Sequence, residues 1–372
     1  MSARLCISLP THLTRSFILE HSQLPAGVSI EVKVPAEFAV EPLCEGVAIQ
    51  WVQYLKREGR TIHLNFQSLP EEMLTDEMPP TFLTSGFGFA LVFAAKTFSQ
   101  DNKQLDREDH VRAPLVQQHQ DHRDRLSYDS GWTLVCKFPI HPLPFPLRQL
   151  KNSSDESTST VSWKRLNQLF ESLVLNKQYG DQRQLGVNEL PEILYQALQN
   201  ATEEHDICLK SRAGSEIFGH YCIFGAKLKS LEDANSDILR DHRDLFKGVA
   251  SGAPAYYVGV ADIGRGIPNS FREANQPANV SDLADFELVK LAFTPGTTTK
   301  AQPGRKSGNG YGLSSLVEAS EVLHATVIVD TPGLTTIVRC YQNGTEIRDR
   351  FVPLDGTSGG CLGTSITVLW QK

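Results

Sequence analysis

The chain lacks any apolar run approaching the ~18 residues that a membrane-spanning helix needs, and Met1 to Thr11 carries one Arg and no long apolar stretch. Neither a membrane span nor a cleaved leader is therefore expected. It lacks a C-x-x-C pair. Its 7 cysteines are scattered from Cys6 to Cys361, an odd, unpatterned set that excludes a disulfide or zinc framework; Cys44, Cys208 and Cys222 read as small core or near-core residues. It lacks a positive excess: 36 Lys and Arg stand against 43 Asp and Glu, a formal charge of −7. That argues against nonspecific binding to nucleic acid or an anionic membrane. No G-x-x-x-x-G-K precedes Ser307 in Gly304-Arg305-Lys306-Ser307, which excludes a P-loop. No G-x-G-x-x-G follows a first strand directly, which excludes a Rossmann site, and no internal repeat is found. What is there is a globular composition, 40% hydrophobic and 21% charged over 372 residues, enough for roughly two domains. A cytosolic protein is the expectation.

The first half reads as a small α/β unit. Val28 to Val34 alternates apolar and polar residues, a strand pattern. Leu43, Val47, Ala48, Trp51, Val52 and Leu55 share one helical face, and Gly59 supplies a stop. Thr61 to Phe66 alternates again, so a strand–helix–strand unit with a parallel pair is expected. Gly86 to Ala95 fits a short helix or a strand. Residues 101–130 form a polar connector, either an exposed helix or a mobile segment, and Trp132 to Phe138 reads as a strand. Proline disfavours helix before it, so His141 to Pro146 is extended, and Lys151 to Thr160 is a Ser/Thr-rich loop. The expected division is a first domain over 1–140, a linker over 141–160 and a second domain over 161–372.

The second half opens with helical patterns over Val161 to Leu175 and, after Gly180, over Leu190 to Glu204. In the latter, Ile193, Leu194, Ala197, Leu198 and Ala201 form an apolar face. Asn200 lies beside that face, where asparagine is a poor helix former. Its amide oxygen suits a Mg²⁺ ligand, although a solvated Asn near a helix end is the simpler reading of that residue alone. Two glycine phrases follow. Val260-Ala261-Asp262-Ile263-Gly264-Arg265-Gly266-Ile267 closes a buried strand, Ala255 to Ala261. There a carboxylate at the strand end would accept from an adenine amino group, and side-chain-free backbone would approach a base or ribose. Gly308-Asn309-Gly310-Tyr311-Gly312-Leu313 opens a helix with Leu313, Leu316, Val317, Ala319 and Val322 at helical spacing. Free N–H groups and the dipole at such a helix start suit phosphate.

An Asn-bearing helix, D-x-G-x-G-I, a lid, G-x-G-x-G-L and a late Gly363-Thr364 before the alternating strand Ser365 to Trp370 appear in this order. The arrangement resembles the GHKL superfamily of ATP-binding domains, which takes in gyrase B, the heat-shock-90 chaperones, MutL, histidine kinases and anti-sigma-factor kinases. The resemblance covers roughly Val161 to Lys372. It implies a two-layer α/β sandwich of the Bergerat type, a mixed sheet with helices on one face. By the same resemblance Asn200 would ligate Mg²⁺ and Asp262 would read the adenine amino group, supported by Thr364 through its hydroxyl or a water. Gly264, Gly266 and Ile267 would line base and ribose. Gly308, Asn309, Gly310, Tyr311, Gly312 and Leu313 would wrap the phosphates. The lid, Phe293 to Ser307, carries Thr297, Thr298, Thr299, Lys300, Arg305 and Lys306. From it Lys300 and Arg305 would reach the γ-phosphate, each charge-assisted bond contributing ~1.5–3 kcal/mol.

One departure stands out. Members that hydrolyse ATP usually carry a glutamate four residues before the Asn, and here that position is Gln196, which cannot take a proton at neutral pH. Glu192 lies one turn earlier and Glu203 and Glu204 one turn after Asn200; any of them is open as a substitute base, while a surface acid is the simpler reading of each. Phosphotransfer to a protein needs positioning and metal more than a base for water. The resemblance therefore implies an ATP- and Mg²⁺-dependent signalling protein in the style of histidine or anti-sigma kinases, acting on a protein partner and open to homodimerisation. The alternatives are a non-catalytic ATP-gated switch and, less in keeping with a chain that ends seven residues after Ser365, an energy-coupled ATPase.

The N-terminal unit is similar in outline to STAS-like domains over Val32 to Phe66. However, Val40-Glu41-Pro42-Leu43 offers no serine at the helix start, so the serine switch of that family is not expected, and a plain docking domain is an equal reading. Asp109-His110-Val111-Arg112-Ala113-Pro114-Leu115 resembles the phosphoacceptor box of histidine kinases with one residue missing. A surface histidine in a polar connector, beside His119 and His122, is the simpler reading of His110.

Overall fold

The computed structural model describes residues 4–56, 59–67, 82, 85–100, 103–105, 132–136, 193, 196–197, 221–232, 234, 236–246, 252–274, 280–297, 312–340, 350–354 and 362–371. The chain is an α/β protein built on two large sheets.

The first sheet has the order β1-β3-β5-β6-β7. It contains β1 (Arg4–Ser8), β3 (Ser29–Val34), β5 (Thr61–Phe66), β6 (Thr97–Gln100) and β7 (Lys103–Leu105). The first four run parallel and β7 turns back antiparallel. The alternation read in Val28 to Val34 and Thr61 to Phe66 becomes a half-buried pleat in both strands. A two-residue parallel pair, β2 (His12–Leu13) with β4 (Ala39–Val40), lies beside them. Among the described residues this half holds the helices α1 (Arg15–Glu20), α2 (Glu45–Lys56) and α3 (Gly86–Ala94). The segment whose pattern fitted either helix or strand is thus a helix. Thr14 caps α1 by accepting from the Phe17 amide at 3.2 Å, and Ser85 caps α3 by accepting from the Gly88 amide at 2.9 Å. Such caps satisfy amides that no turn of the helix can.

The second sheet has the order β13-β12-β11-β14-β10-β9-β8. Its strands are β8 (Trp132–Cys136), β9 (Tyr221–Leu228), β10 (Ala255–Asp262), β11 (Thr326–Thr331), β12 (Leu334–Arg339), β13 (Phe351–Leu354) and β14 (Ser365–Gln371). Every neighbouring pair among them is antiparallel. The α/β fold thus carries parallel ladders in the first sheet and antiparallel ladders in both. The helices of this half are α4 (Asp237–Asp241), α5 (Ile267–Ala274), α6 (Asp285–Ala292) and α7 (Gly312–Val322).

The two halves share a core. Along β10, Ala255, Tyr257 and Ala261 pack with Trp51, Leu55 and Phe87 of the first half. Tyr256, Val258 and Val260 face the opposite way, toward Leu316 and Val317 of α7. Burial on both faces explains why β10 reads as one continuous apolar run. α2 lies between the sheets and contacts both β5 and β10. At Gly46 it comes so close that a Cβ would run into Ser365 Oγ and lie 3.0 Å from Ala261 Cβ. Because α2 has a neighbour on either side, Gly46, Gln50 and Gln53 are as buried as its apolar face.

Two expectations change. A division at 141–160 assigns the Trp132 strand to the first unit, but its ladder with β9 places it at the edge of the second sheet. In α7, Leu316 and Val317 are buried as the spacing predicts, whereas Val322 is 63% exposed and Ser320 is buried instead. The Ser320 hydroxyl satisfies itself on the Leu316 carbonyl at 2.8 Å, which lets a serine occupy an apolar face. Of the helix expected over Leu190 to Glu204, Ile193, Gln196 and Ala197 are described and helical, with Ile193 and Ala197 in the core beside Val258 and Val260. The helix expected over Val161 to Leu175, His110 and Cys208 lie outside the described residues. Cys44, Cys222 and Cys340 are buried free thiols and Cys6 is exposed. Among the described residues no helix is long and apolar enough to cross a membrane.

Candidate functional site

β10 delivers Asp262 to the end of a fully buried strand, with the residue 7% exposed. Its main-chain amide donates to the Thr364 carbonyl at 2.8 Å. Its Oδ1 accepts from the Gly264 amide at 2.7 Å and from the Thr364 amide at 3.2 Å. The carboxylate is thus oriented by backbone donors on two loops. Thr364 supports it through its main-chain N–H, a route that the expected hydroxyl or water did not include.

The surrounding backbone is tight. Gly363 has φ +67°, and a Cβ there would run into the Asp262 carbonyl oxygen and lie 2.7 Å from Oδ1. Gly266 has φ +81°, and a Cβ there would lie 2.5 Å from Pro332 Cδ and 2.9 Å from the Gly363 carbonyl oxygen. Only glycine combines that backbone geometry with so little room. Pro332 belongs to the turn joining β11 to β12. A Thr-Pro-Gly turn between two apolar runs is a signal that could have marked it.

Ile267 begins α5 directly after Gly266 and packs partly buried against two apolar clusters. Gly312 opens the 11-residue helix α7, and Leu313 is partly buried against the core. Gln196 is half-buried, next to core residue Ala197. Asp262, Gly264, Gly266, Ile267 and Thr364 are therefore brought together at the ends of β10 and β14. Asn200, Lys300, Arg305, Gly308, Asn309, Gly310 and Tyr311 lie outside the described residues. So does the lid beyond Thr297.

Behind this cluster, on the face of the sheet turned toward the first half, lies a set of polar side chains that no local pattern announced. The Gln50 side chain, from α2, donates to the Asp262 main-chain carbonyl at 2.9 Å. Arg15 forms a two-pronged pair with Asp330 at 2.6 and 3.0 Å and donates to the Leu43 carbonyl at 2.5 Å. Burial by itself would lower the Arg15 guanidinium, but the Asp330 carboxylate outweighs it and holds it above its ordinary value. Thr335 donates its hydroxyl to Asp330 Oδ1 at 2.8 Å. Tyr257 donates its hydroxyl to Glu45. Burial pushes Glu45 up to about 7; burial, then the nearby Asp237 carboxylate, pushes Glu41 up to about 7.

Chemically, the end of β10 offers a carboxylate fixed by main-chain donors and walled by glycines. The expected Mg²⁺ ligand, Asn200, is beyond the described part.

An α/β fold with a carboxylate and three glycines at one strand end defines the class of site. No family profile matches the chain. Over 57 residues it is 40% identical to the chemotaxis protein CheA of Borreliella burgdorferi, a stretch that takes in 15% of this chain and 7% of that protein. The similarity is thus partial, and it falls on a signalling protein of the superfamily that the glycine phrases resemble.

Proposed function

We propose that the chain binds Mg·ATP in the Asp262 site as a cytosolic signalling protein of the GHKL kinase type, transferring phosphate to a protein partner or changing partner affinity as its lid orders. The observation that carries this reading is the Asp262 carboxylate. It is nearly buried, gripped at Oδ1 by two main-chain amides and walled by glycines that admit no side chain. A buried carboxylate costs free energy unless it is paired or does work, and a flat base with an amino donor is the ligand such a slot suits. The partial similarity to CheA supports a histidine-kinase-like setting. In this reading Asn200 holds Mg²⁺, Lys300 and Arg305 meet the γ-phosphate, and Gly308 to Leu313 wrap the phosphate chain. ATP supplies the transferable phosphoryl group; the chain orients it and excludes water. Gln196 favours a second reading, an ATP-gated switch without hydrolysis. Binding alone can then shift a partner equilibrium only by its different affinity for the two lid states.

The test incubates the chain with Mg²⁺ and γ-labelled ATP, with Asp262→Asn as control. Label on the protein or an added partner, lost in the control, establishes the kinase, and acid lability separates phosphohistidine from phosphoserine. Binding without transfer or release, together with ATPase activity gained in Gln196→Glu, establishes the switch. Unchanged ATP affinity in Asp262→Asn refutes the pocket.

A further inference from the structure

On the β14 side the ladder of β10 ends at Ala261 paired with Ser365, while on the other side Asp262 stays in register with Tyr221 of β9. Facing β14, Asp262 is held by individual bonds, among them its amide to Thr364 and its Oδ1 to Gly264 and Thr364, all local to the second half. Another comes from 212 residues away, where Gln50 Nε2 donates to the Asp262 carbonyl. Gln50 is 0% exposed, and among the described residues its own Oε1 has no hydrogen-bond partner. An unsatisfied buried carbonyl is a cost to folding. A leucine or methionine at 50 would pack between the sheets without that cost, and it would not hold Asp262. The neighbouring wall is held in the same way. Arg15 fixes Asp330, two residues before Pro332, whose ring stands against Gly266.

We propose that Gln50 is a positioning residue through which the seating of α2 sets nucleotide affinity at Asp262, so that the first α/β unit regulates the pocket from behind the sheet. The inference rests on the nucleotide reading above. Its physical content is a coupling between two faces of one strand. When α2 is seated, the Asp262 carbonyl is pinned and the carboxylate stays aligned; when α2 shifts, the peptide at the strand end is released. Linkage makes the effect reciprocal, so a nucleotide that needs the aligned carboxylate must also favour the seated α2.

The test compares the full-length chain with Gln50→Met, which keeps length and apolar stem but cannot donate. Mg·ATP affinity is measured by titration calorimetry, and exchange of the α2 amides by hydrogen–deuterium exchange with and without Mg·ATP. The expected result is a Gln50→Met chain with a urea midpoint close to the parent's, the lost donor to the Asp262 carbonyl offset by removal of the unpaired Oε1, and with Mg·ATP affinity about fivefold weaker, the loss of one neutral hydrogen bond. Mg·ATP should slow α2 exchange in the parent and not in the variant, a difference that a purely structural role would not produce. Equal affinity and equal protection in parent and Gln50→Met, with Asp262→Asn defective, overturn the coupling and leave the nucleotide site standing. A parent chain that binds no Mg·ATP overturns both. Should Gln50→Met prove unstable, Gln50→Leu serves with the same readouts.

Discussion

Removing Arg15 tests whether the two halves of the molecule are joined by a buried charge. The guanidinium is 4% exposed and Asp330 is 0% exposed. Arg15→Met deletes both bonds to Asp330 and the bond to the Leu43 carbonyl, leaving the carboxylate with the Thr335 hydroxyl. Breaking one side of a buried pair costs about 3–5 kcal/mol, because the surviving charge has neither water nor partner. That is a large share of a total stability of about 5–15 kcal/mol. With a urea slope of about 3 kcal/mol/M the midpoint should fall by about 1–2 M. The assay is urea unfolding followed by far-UV circular dichroism and by tryptophan fluorescence. Trp51 and Trp370 are buried on opposite sides of the second sheet, so coincident curves certify one transition. The double variant Arg15→Met, Asp330→Leu removes both charges. It should be clearly less destabilised than the sum of the two single variants, since no buried charge is left unpaired, although the Thr335 hydroxyl and the Leu43 carbonyl each lose a partner at about 1–3 kcal/mol. A double variant as poor as the sum of the singles would refute the pairing argument. So would an Arg15→Met midpoint equal to the parent's.

Two further outcomes follow from the same contacts. Glu41 and Glu45 are held up to about 7 against an ordinary value of 4.5, so between those values the folded chain binds more protons than the unfolded one. Their contribution is fully present below about pH 4.5 and is lost as pH rises through 7. Urea midpoints taken across this window should fall less steeply with pH in Glu45→Gln than in the parent, and parallel curves would contradict the assignment. Gly27 and Gly363 have nearly the same backbone, φ +69° and +67°, but nothing lies within 4 Å of a Cβ at Gly27, while Gly363 abuts Asp262. Alanine at 27 should cost about 1–2 kcal/mol from backbone alone. Alanine at 363 should cost clearly more and weaken Mg·ATP binding, and equal costs in thermal unfolding would show that the wall at Asp262 yields.

Much of the architecture was legible in the order of residues. β3, α2, β5, β10, α7 and β14 stand close to where alternation, helical spacing and glycine stops put them, since those patterns record which face of an element is dry. The glycine phrases marked the strand end at Asp262 and the start of α7, and at Gly266 close backbone approach with positive φ leaves glycine as the residue that fits. What the order of residues could not carry was partnership. Val322 has the right spacing for the buried face of α7 yet is exposed, at the helix's last residue. Trp132 to Cys136 has a strand's composition, but only hydrogen bonds to β9 decide which sheet it joins. Gln50 reads as an ordinary polar position on α2. It becomes a support for Asp262 because α2 is covered on both sides, and Arg15 meets Asp330 from the far end of the chain for the same reason. Periodicity by itself determined which faces are buried; the packing of two sheets around one helix decided what those faces touch, because contacts between residues more than 200 positions apart leave no local trace.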